Sequence, residues 1–146
     1  MQLTSTAFQN KGTIPAKHTC DSLDVSPPLR WDEVQEGTKS FALTVTEAST
    51  GRTHWLVCNV PAEARFIPEG GPVPGSAREV PNDFGKQAYG GPCPRAGEHR
   101  YYFTLYALDT EHLPVGVKKQ NFIRLCREHM IEKAELMGRY SPGGGL

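Results

Sequence analysis

The densest run of chemistry-bearing residues is Tyr89-Gly90-Gly91-Pro92-Cys93-Pro94-Arg95-Ala96-Gly97-Glu98-His99-Arg100-Tyr101. His99 and Tyr101 stand two apart, so on an extended strand an imidazole and a phenol point to the same face. Such a pair suits a phosphate oxygen. Gly90 and Gly91 permit backbone conformations and close approaches that a side chain would block, and their amides can line an anion site. Pro92 and Pro94 stiffen the loop and permit a cis peptide bond there. From residue type alone, the plainer alternative makes Tyr101 a core residue and His99 a hydrogen-bonded cap on the strand. A second histidine, in Arg52-Thr53-His54-Trp55, opens another apolar run and meets His99 if the two strands are neighbours. A lone histidine at a strand end is ordinarily structural, so the functional reading rests on convergence with the Gly-Pro loop. His18, His112 and His129 lack comparable settings and read as surface or structural residues.

Two other chemistries use the same residues. Cys93, His99 and Glu47 offer a thiol, an imidazole and a carboxylate, the usual company of a Cys/His hydrolase. Against it, two prolines hold Cys93 and no nucleophile elbow surrounds it. A metal site from His54, His99 and Glu47 lacks any short ligand spacing, so neither metal nor cofactor is expected.

Four segments read as strands able to position these groups: Leu3 to Phe8, Ser40 to Thr46, His54 to Val60, and His99 to Leu108. The runs from Trp55 to Val60 and from Tyr101 to Leu108 are bulky on both faces, as central strands covered on both sides would be. From Pro61 to Pro94 the chain carries seven prolines and repeated glycines, the signature of an ordered loop region. Phe122, Leu125, Cys126, Met130, Ala134 and Met137 recur at spacings of three and four and predict a C-terminal helix, with Gly138 as its stop. Residues 141–146 read as a loose tail.

The chain has 146 residues, enough for one domain to bury a core without staples. Its 16 basic and 16 acidic residues cancel, so no global field draws it to nucleic acid or to an anionic membrane. Any anion recognition must be local. No run reaches the roughly 18 apolar residues of a membrane span and the first residues do not resemble a signal peptide, so a cytoplasmic location is expected. Cys20, Cys58, Cys93 and Cys126 show no Cys-x-x-Cys pair and read as free thiols in a reducing compartment, although an even count also permits two disulfides.

Pro27-Pro28-Leu29-Arg30-Trp31, Ser40-Phe41-Ala42-Leu43, His54-Trp55-Leu56-Val57-Cys58-Asn59-Val60-Pro61, Asn82-Asp83-Phe84-Gly85 and Gly91-Pro92-Cys93-Pro94 to His99-Arg100-Tyr101 occur together in one order. In this the chain resembles the phosphatidylethanolamine-binding protein family, especially its small bacterial and archaeal members of Raf kinase inhibitor-like type, from about Phe8 to Tyr140. The resemblance implies a mainly β fold, an antiparallel Greek-key β-sandwich with a C-terminal helix. It also implies a binding protein rather than an enzyme, with a pocket for phosphate, phosphorylethanolamine or a phospholipid head group, and a protein partner of kinase- or protease-regulating type. His54, His99 and Tyr101 match pocket residues of the family pattern, and Gly91 and Pro92 match the loop beneath them. Where the family usually reads Asp-Pro-Asp-Ala-Pro, this chain has Thr46-Glu47-Ala48-Ser49-Thr50, leaving Glu47 as the acidic candidate. Arg95 replaces a usual second proline and is expected to face solvent.

Overall fold

A computed structural model describes residues 1–143. Nine strands and one α-helix follow the chain as β1 (Gln2–Thr4), β2 (Gly12–Thr13), β3 (Leu29–Asp32), β4 (Ser40–Glu47), β5 (Thr53–Pro61), β6 (Phe66–Ile67), β7 (Arg78–Val80), β8 (His99–Leu108), α1 (Phe122–Glu128) and β9 (Met130–Tyr140). The larger sheet has the order β2-β9-β8-β4-β5-β7 and the smaller β1-β3-β6. The family fold expected from the sequence is the fold observed: mainly β, two sheets, one short helix near the C-terminus.

The two apolar runs are central because both of their faces, with those of β4 between them, are covered. One face contributes Phe41, Leu43, Trp55, Val57, Phe103 and Leu105 to a core shared with Leu3, Leu29, Trp31 and Ile67 of the smaller sheet. The other contributes Ala42, Leu56, Cys58, Tyr106 and Leu108 to a second core closed by Phe122, Leu125 and Cys126 of α1. Burial of that many large side chains, at roughly 1.5–3 kcal/mol each, is the main term opposing chain entropy.

The C-terminal helix is shorter than its periodicity predicts. It ends at Glu128, and Met130, Ala134 and Met137 belong to β9, which pairs antiparallel with the whole of β8. Strand β8 is buried on both faces, so its backbone edge needs a hydrogen-bonded partner, and that requirement overrides the local helical pattern. Read with a period of two, the same residues place Ala134, Leu136, Gly138 and Tyr140 inward. Gly138 is therefore no helix stop: a Cβ there would collide with Ile14 and Phe8, which cross β9 at that point. The first strand is also shorter than expected, and β3 escapes notice because four residues after Pro27-Pro28 are too few to show alternation. The 61–94 segment is mostly loop, with β6 and β7 as short excursions and its cis peptide at Gly71–Pro72 rather than in the 90–94 loop. The expected loose tail, 141–146, lies partly outside the described residues.

The reading of four free thiols is corrected by a disulfide between Cys20 and Cys93, whose Cα atoms are 5.4 Å apart. Both half-cystines are exposed, whereas Cys58 and Cys126 are buried free thiols, pushed by burial to about 11 and about 12. The bridge joins loops 73 residues apart, a contact that no local spacing announces. Replacing both Cys20 and Cys93 by Ser is expected to lower unfolding free energy by about 2–4 kcal/mol in urea melts, through the enlarged unfolded ensemble. Equal midpoints for the oxidised wild type and the double variant would show that the bridge carries no stability.

Candidate functional site

Strands β8, β4 and β5 end side by side, with Glu47 opposite Tyr101 and Thr46 opposite Thr53. β4 thus separates β5 from β8, so the two histidine-bearing strands are not neighbours as their convergence suggested. A register shift between β4 and β5 at Val45/Thr46 twists this end of the sheet, and the rings still converge: His54 meets Tyr101 edge to face at 5.3 Å. Phe84 closes on His54 at 5.1 Å. Around them opens a cavity of about 590 Å3 whose wall includes Glu47, Arg52, His54, Arg95, His99 and Tyr101.

The backbone holds His54 in place. Its Nδ1 donates to the Gly90 carbonyl at 2.7 Å, and the Gly90 amide donates back to the His54 carbonyl at 3.0 Å. Asn82 completes the clamp: its Nδ2 donates to His54 O and Ala88 O, and its Oδ1 accepts the amides of Phe84 and Lys86. The Asn-Asp-Phe-Gly block is thus a connector that aims Phe84 at the histidine. At 4% exposure His54 is pushed below the ordinary histidine range by burial, against the raising effect of the Gly90 and Gly91 backbone and of Glu47. With Nδ1 as donor, the neutral ring turns its Nε2 lone pair away from Gly90.

Glu47 is the residue the sequence left most open, and its environment is specific. Its side chain folds back into its own hairpin turn: Ser49 Oγ donates to Oε1 at 2.6 Å, and the Thr50 amide and hydroxyl both donate to Oε2 at 2.7 Å. His99 Nδ1 adds a fourth bond to Oε1 at 2.7 Å. These bonds use the acceptor capacity of both oxygens. Burial pushes the carboxyl upward, but the bonds from Ser49, Thr50 and His99 outweigh it and bring it to about 2. Glu47 is therefore an ionised, saturated group that orients His99, not a free arm for a ligand. The other ring nitrogen of His99 lies 3.1 Å from Ala96 O at the rim. Both partners of this ring, Glu47 Oε1 and Ala96 O, are acceptors.

Tyr101 is buried, its hydroxyl pushed up to about 12 chiefly by burial and by the charge of Glu47. Gly91 and Pro92 do not line the cavity. Gly91 donates its amide to Asp24 Oδ1 at 2.8 Å, and a Cβ on it would collide with His18 O and with Asp24. Pro92 O accepts the Cys20 amide, and Tyr89 donates its hydroxyl to His18 O at 2.7 Å. The loop is thus a buttress docked on residues 18–24, and buried His18 is structural, as expected. The sequence did not single out Arg52 as a cavity cation, although it adjoins His54; its guanidinium lies 6.0 Å over the Phe84 ring. Arg95 is exposed, as expected, and also borders the cavity. Cys93 lines the rim with its sulfur in the disulfide, so it presents no thiolate there. Among the described residues no cluster of His, Cys, Asp and Glu could hold a metal ion.

A profile described as phosphatidylethanolamine-binding protein matches residues 4–141. The chain belongs to that family. A protein of Methanothermobacter thermautotrophicus named "UPF0098 protein" is 38% identical, over 98% of this chain and 100% of the relative. Among solved structures, E. coli YbcL, titled a new member of the mammalian PEBP family, superposes with a TM-score of 0.90 at 33% identity, over 96% of this chain and 97% of that one. CT736 of Chlamydia trachomatis, titled a putative phosphatidylethanolamine-binding protein homologue, gives 0.87 at 36% identity over 96% of both chains. Family membership makes this a small binding protein. No helix among the described residues is long and apolar enough to cross a membrane.

The depressed Glu47 carboxyl sets a pH window for stability. A carboxyl lowered on folding contributes stability that is complete above its unfolded value, near 4.5, and is lost as pH falls toward about 2. Acid unfolding followed by near-ultraviolet circular dichroism is expected to show this loss, and Glu47→Gln should flatten the profile between those limits. An unchanged profile in the variant would assign the acid sensitivity elsewhere.

Proposed function

We propose that this chain works by binding rather than by turnover, and that its cavity takes the phosphate of a phosphorylethanolamine-like head group, free or carried on a phospholipid. The observation that supports this is the charge of the wall: Glu47 is its one carboxylate among the described residues, and that carboxylate is saturated from within. Arg52 and Arg95 supply the positive charge of the wall, with the imidazoles of His54 and His99 as its other polar groups. An anion arriving there meets two guanidinium groups at the rim, competes with Ala96 O for the outer nitrogen of His99, and reaches His54 beneath. The Cys/His hydrolase alternative loses its nucleophile, because Cys93 is half of a disulfide.

Magnitudes favour a weak primary contact. Charge-assisted hydrogen bonds contribute about 1.5–3 kcal/mol each before desolvation is subtracted, so three of them give a dissociation constant of about millimolar to micromolar. Selectivity then depends on what the head group is attached to, which includes an acidic or phosphorylated partner protein of the kinase- or protease-regulating kind. The exposed disulfide favours an oxidising compartment over the cytoplasmic location expected from the sequence, since such bridges persist chiefly there.

Two-dimensional NMR titration with phosphate and with phosphorylethanolamine tests the reading. Shifts should centre on Arg52, His54, His99 and Tyr101, weakening about tenfold in Arg52→Ala or His54→Ala, as the loss of one such bond requires. No shift at tens of millimolar would exclude an anion site. Sulfate separates the protein's titration from the ligand's, because its own charge is constant from about pH 5 to 8. Since burial lowers His54, an anion that needs its proton should bind more tightly as pH falls through and below the ordinary histidine value of about 6.5. His54 acts on stability in the opposite sense: its contribution is present above its unfolded value and fades as pH falls through the lowered folded one. Sulfate affinity that is flat with pH would remove histidine protonation from the mechanism.

A further inference from the structure

A second cavity, of about 330 Å3, lies beside the first and has the opposite chemistry. Its wall is built from Asp24, Ser26, Trp55, Val73, Glu79 and Tyr89, with glycine and proline backbone from the 70–72 turn. Among the described residues, no lysine, arginine or histidine lines it. His54 and Trp55 are successive residues of β5, so they point to opposite faces, and the strand itself divides the two cavities.

Three oxygen acceptors border this space. Glu79 accepts the Trp55 indole N–H through Oε1 at 2.9 Å, leaving Oε2. Asp24 accepts the Gly91 amide through Oδ1, leaving Oδ2, and burial raises its carboxyl above the ordinary range against the lowering effect of the Gly91 amide, Lys86 and His54. Ser26 is only 5% exposed and contributes to the cavity wall, where its hydroxyl is a third oxygen acceptor. Beside these acceptors Trp55 and Tyr89 stand edge to face at 5.5 Å, an aromatic wall suited to a cation and its carbon chain.

We propose that this second cavity is a binding site for a small primary ammonium compound. Three acceptors match the three N–H donors of an –NH3+ group, and the two carboxylates neutralise its charge. The volume, about eleven water molecules at roughly 30 Å3 each, is ample for a short alkylamine. The site does not rest on the anion reading, since β5 separates the two.

The test is an NMR titration of the full chain with n-propylammonium chloride at constant ionic strength, with tetramethylammonium chloride and sodium chloride as parallel arms. The expected result is saturable shifts at the Trp55 indole N–H, Ser26 and Tyr89 with propylammonium, at least fivefold weaker affinity for tetramethylammonium, and none with sodium. Glu79→Gln keeps a carbonyl for the indole while removing the charge, and should weaken propylammonium at least fivefold; Ser26→Ala should weaken it less. Amide shifts of Glu79→Gln away from the cavity should match those of the wild type, which verifies that the variant is folded. No propylammonium shifts beyond those of sodium, equal binding of both organic cations, or undiminished binding in a folded Glu79→Gln would each overturn the proposal.

Discussion

The close approach of Gly91 to residues 18–24 is the constraint on which the rest of this end of the molecule depends. Only a residue without a Cβ fits against the His18 carbonyl and Asp24, and its amide bond to Asp24 joins the two segments. Everything functional follows from that junction. It brings Cys20 within bonding distance of Cys93, puts the Gly90 carbonyl where His54 can donate to it, and turns Cys93 to Ala96 outward as the rim of the first cavity. On the other side of the junction, Asp24 and Tyr89 become walls of the second cavity. A loop that looks in sequence like an anion-binding loop therefore serves as a structural keel between two pockets.

The electrostatics of the two pockets are set by how their carboxylates are used. In the first, Ser49, Thr50 and His99 supply Glu47 with four hydrogen bonds, so a carboxylate that would repel an anion becomes an inert part of the wall. In the second, Asp24 and Glu79 each meet one protein N–H through one oxygen. Equal numbers of basic and acidic residues thus produce adjacent pockets with walls of opposite charge, which a chain-wide charge sum cannot reveal.

Much of this was legible in the sequence because its physical cause is local or strongly patterned. The two-sided apolar runs announced β5 and β8 as central strands, with β8 spanning the expected residues. His54, His99 and Tyr101 were found because strand parity and a Gly-Pro loop restrict where side chains point. The 130–140 segment misled because its apolar residues satisfy a helical period and a strand period together, and the unpaired edge of β8 chose between them. Arg52 drew no notice as a site residue because an arginine in a turn looks like any other until the cavity beside it is seen.

By itself the sequence determined the fold class, the family, the central strands and the aromatic and histidine content of the first site. Those follow from residue type, periodicity and the order of motifs, all of which are carried along the chain. Only the tertiary structure decided that Cys20 and Cys93 pair, that Gly91 and Pro92 support the pocket instead of lining it, and that Glu47 is consumed by its own turn. It alone showed that Ser26, Trp55 and Glu79 share a cavity. These are contacts between segments tens of residues apart, or choices among hydrogen-bond partners. They are settled by which surfaces the packed sheets bring together, a quantity that no local stretch of sequence contains.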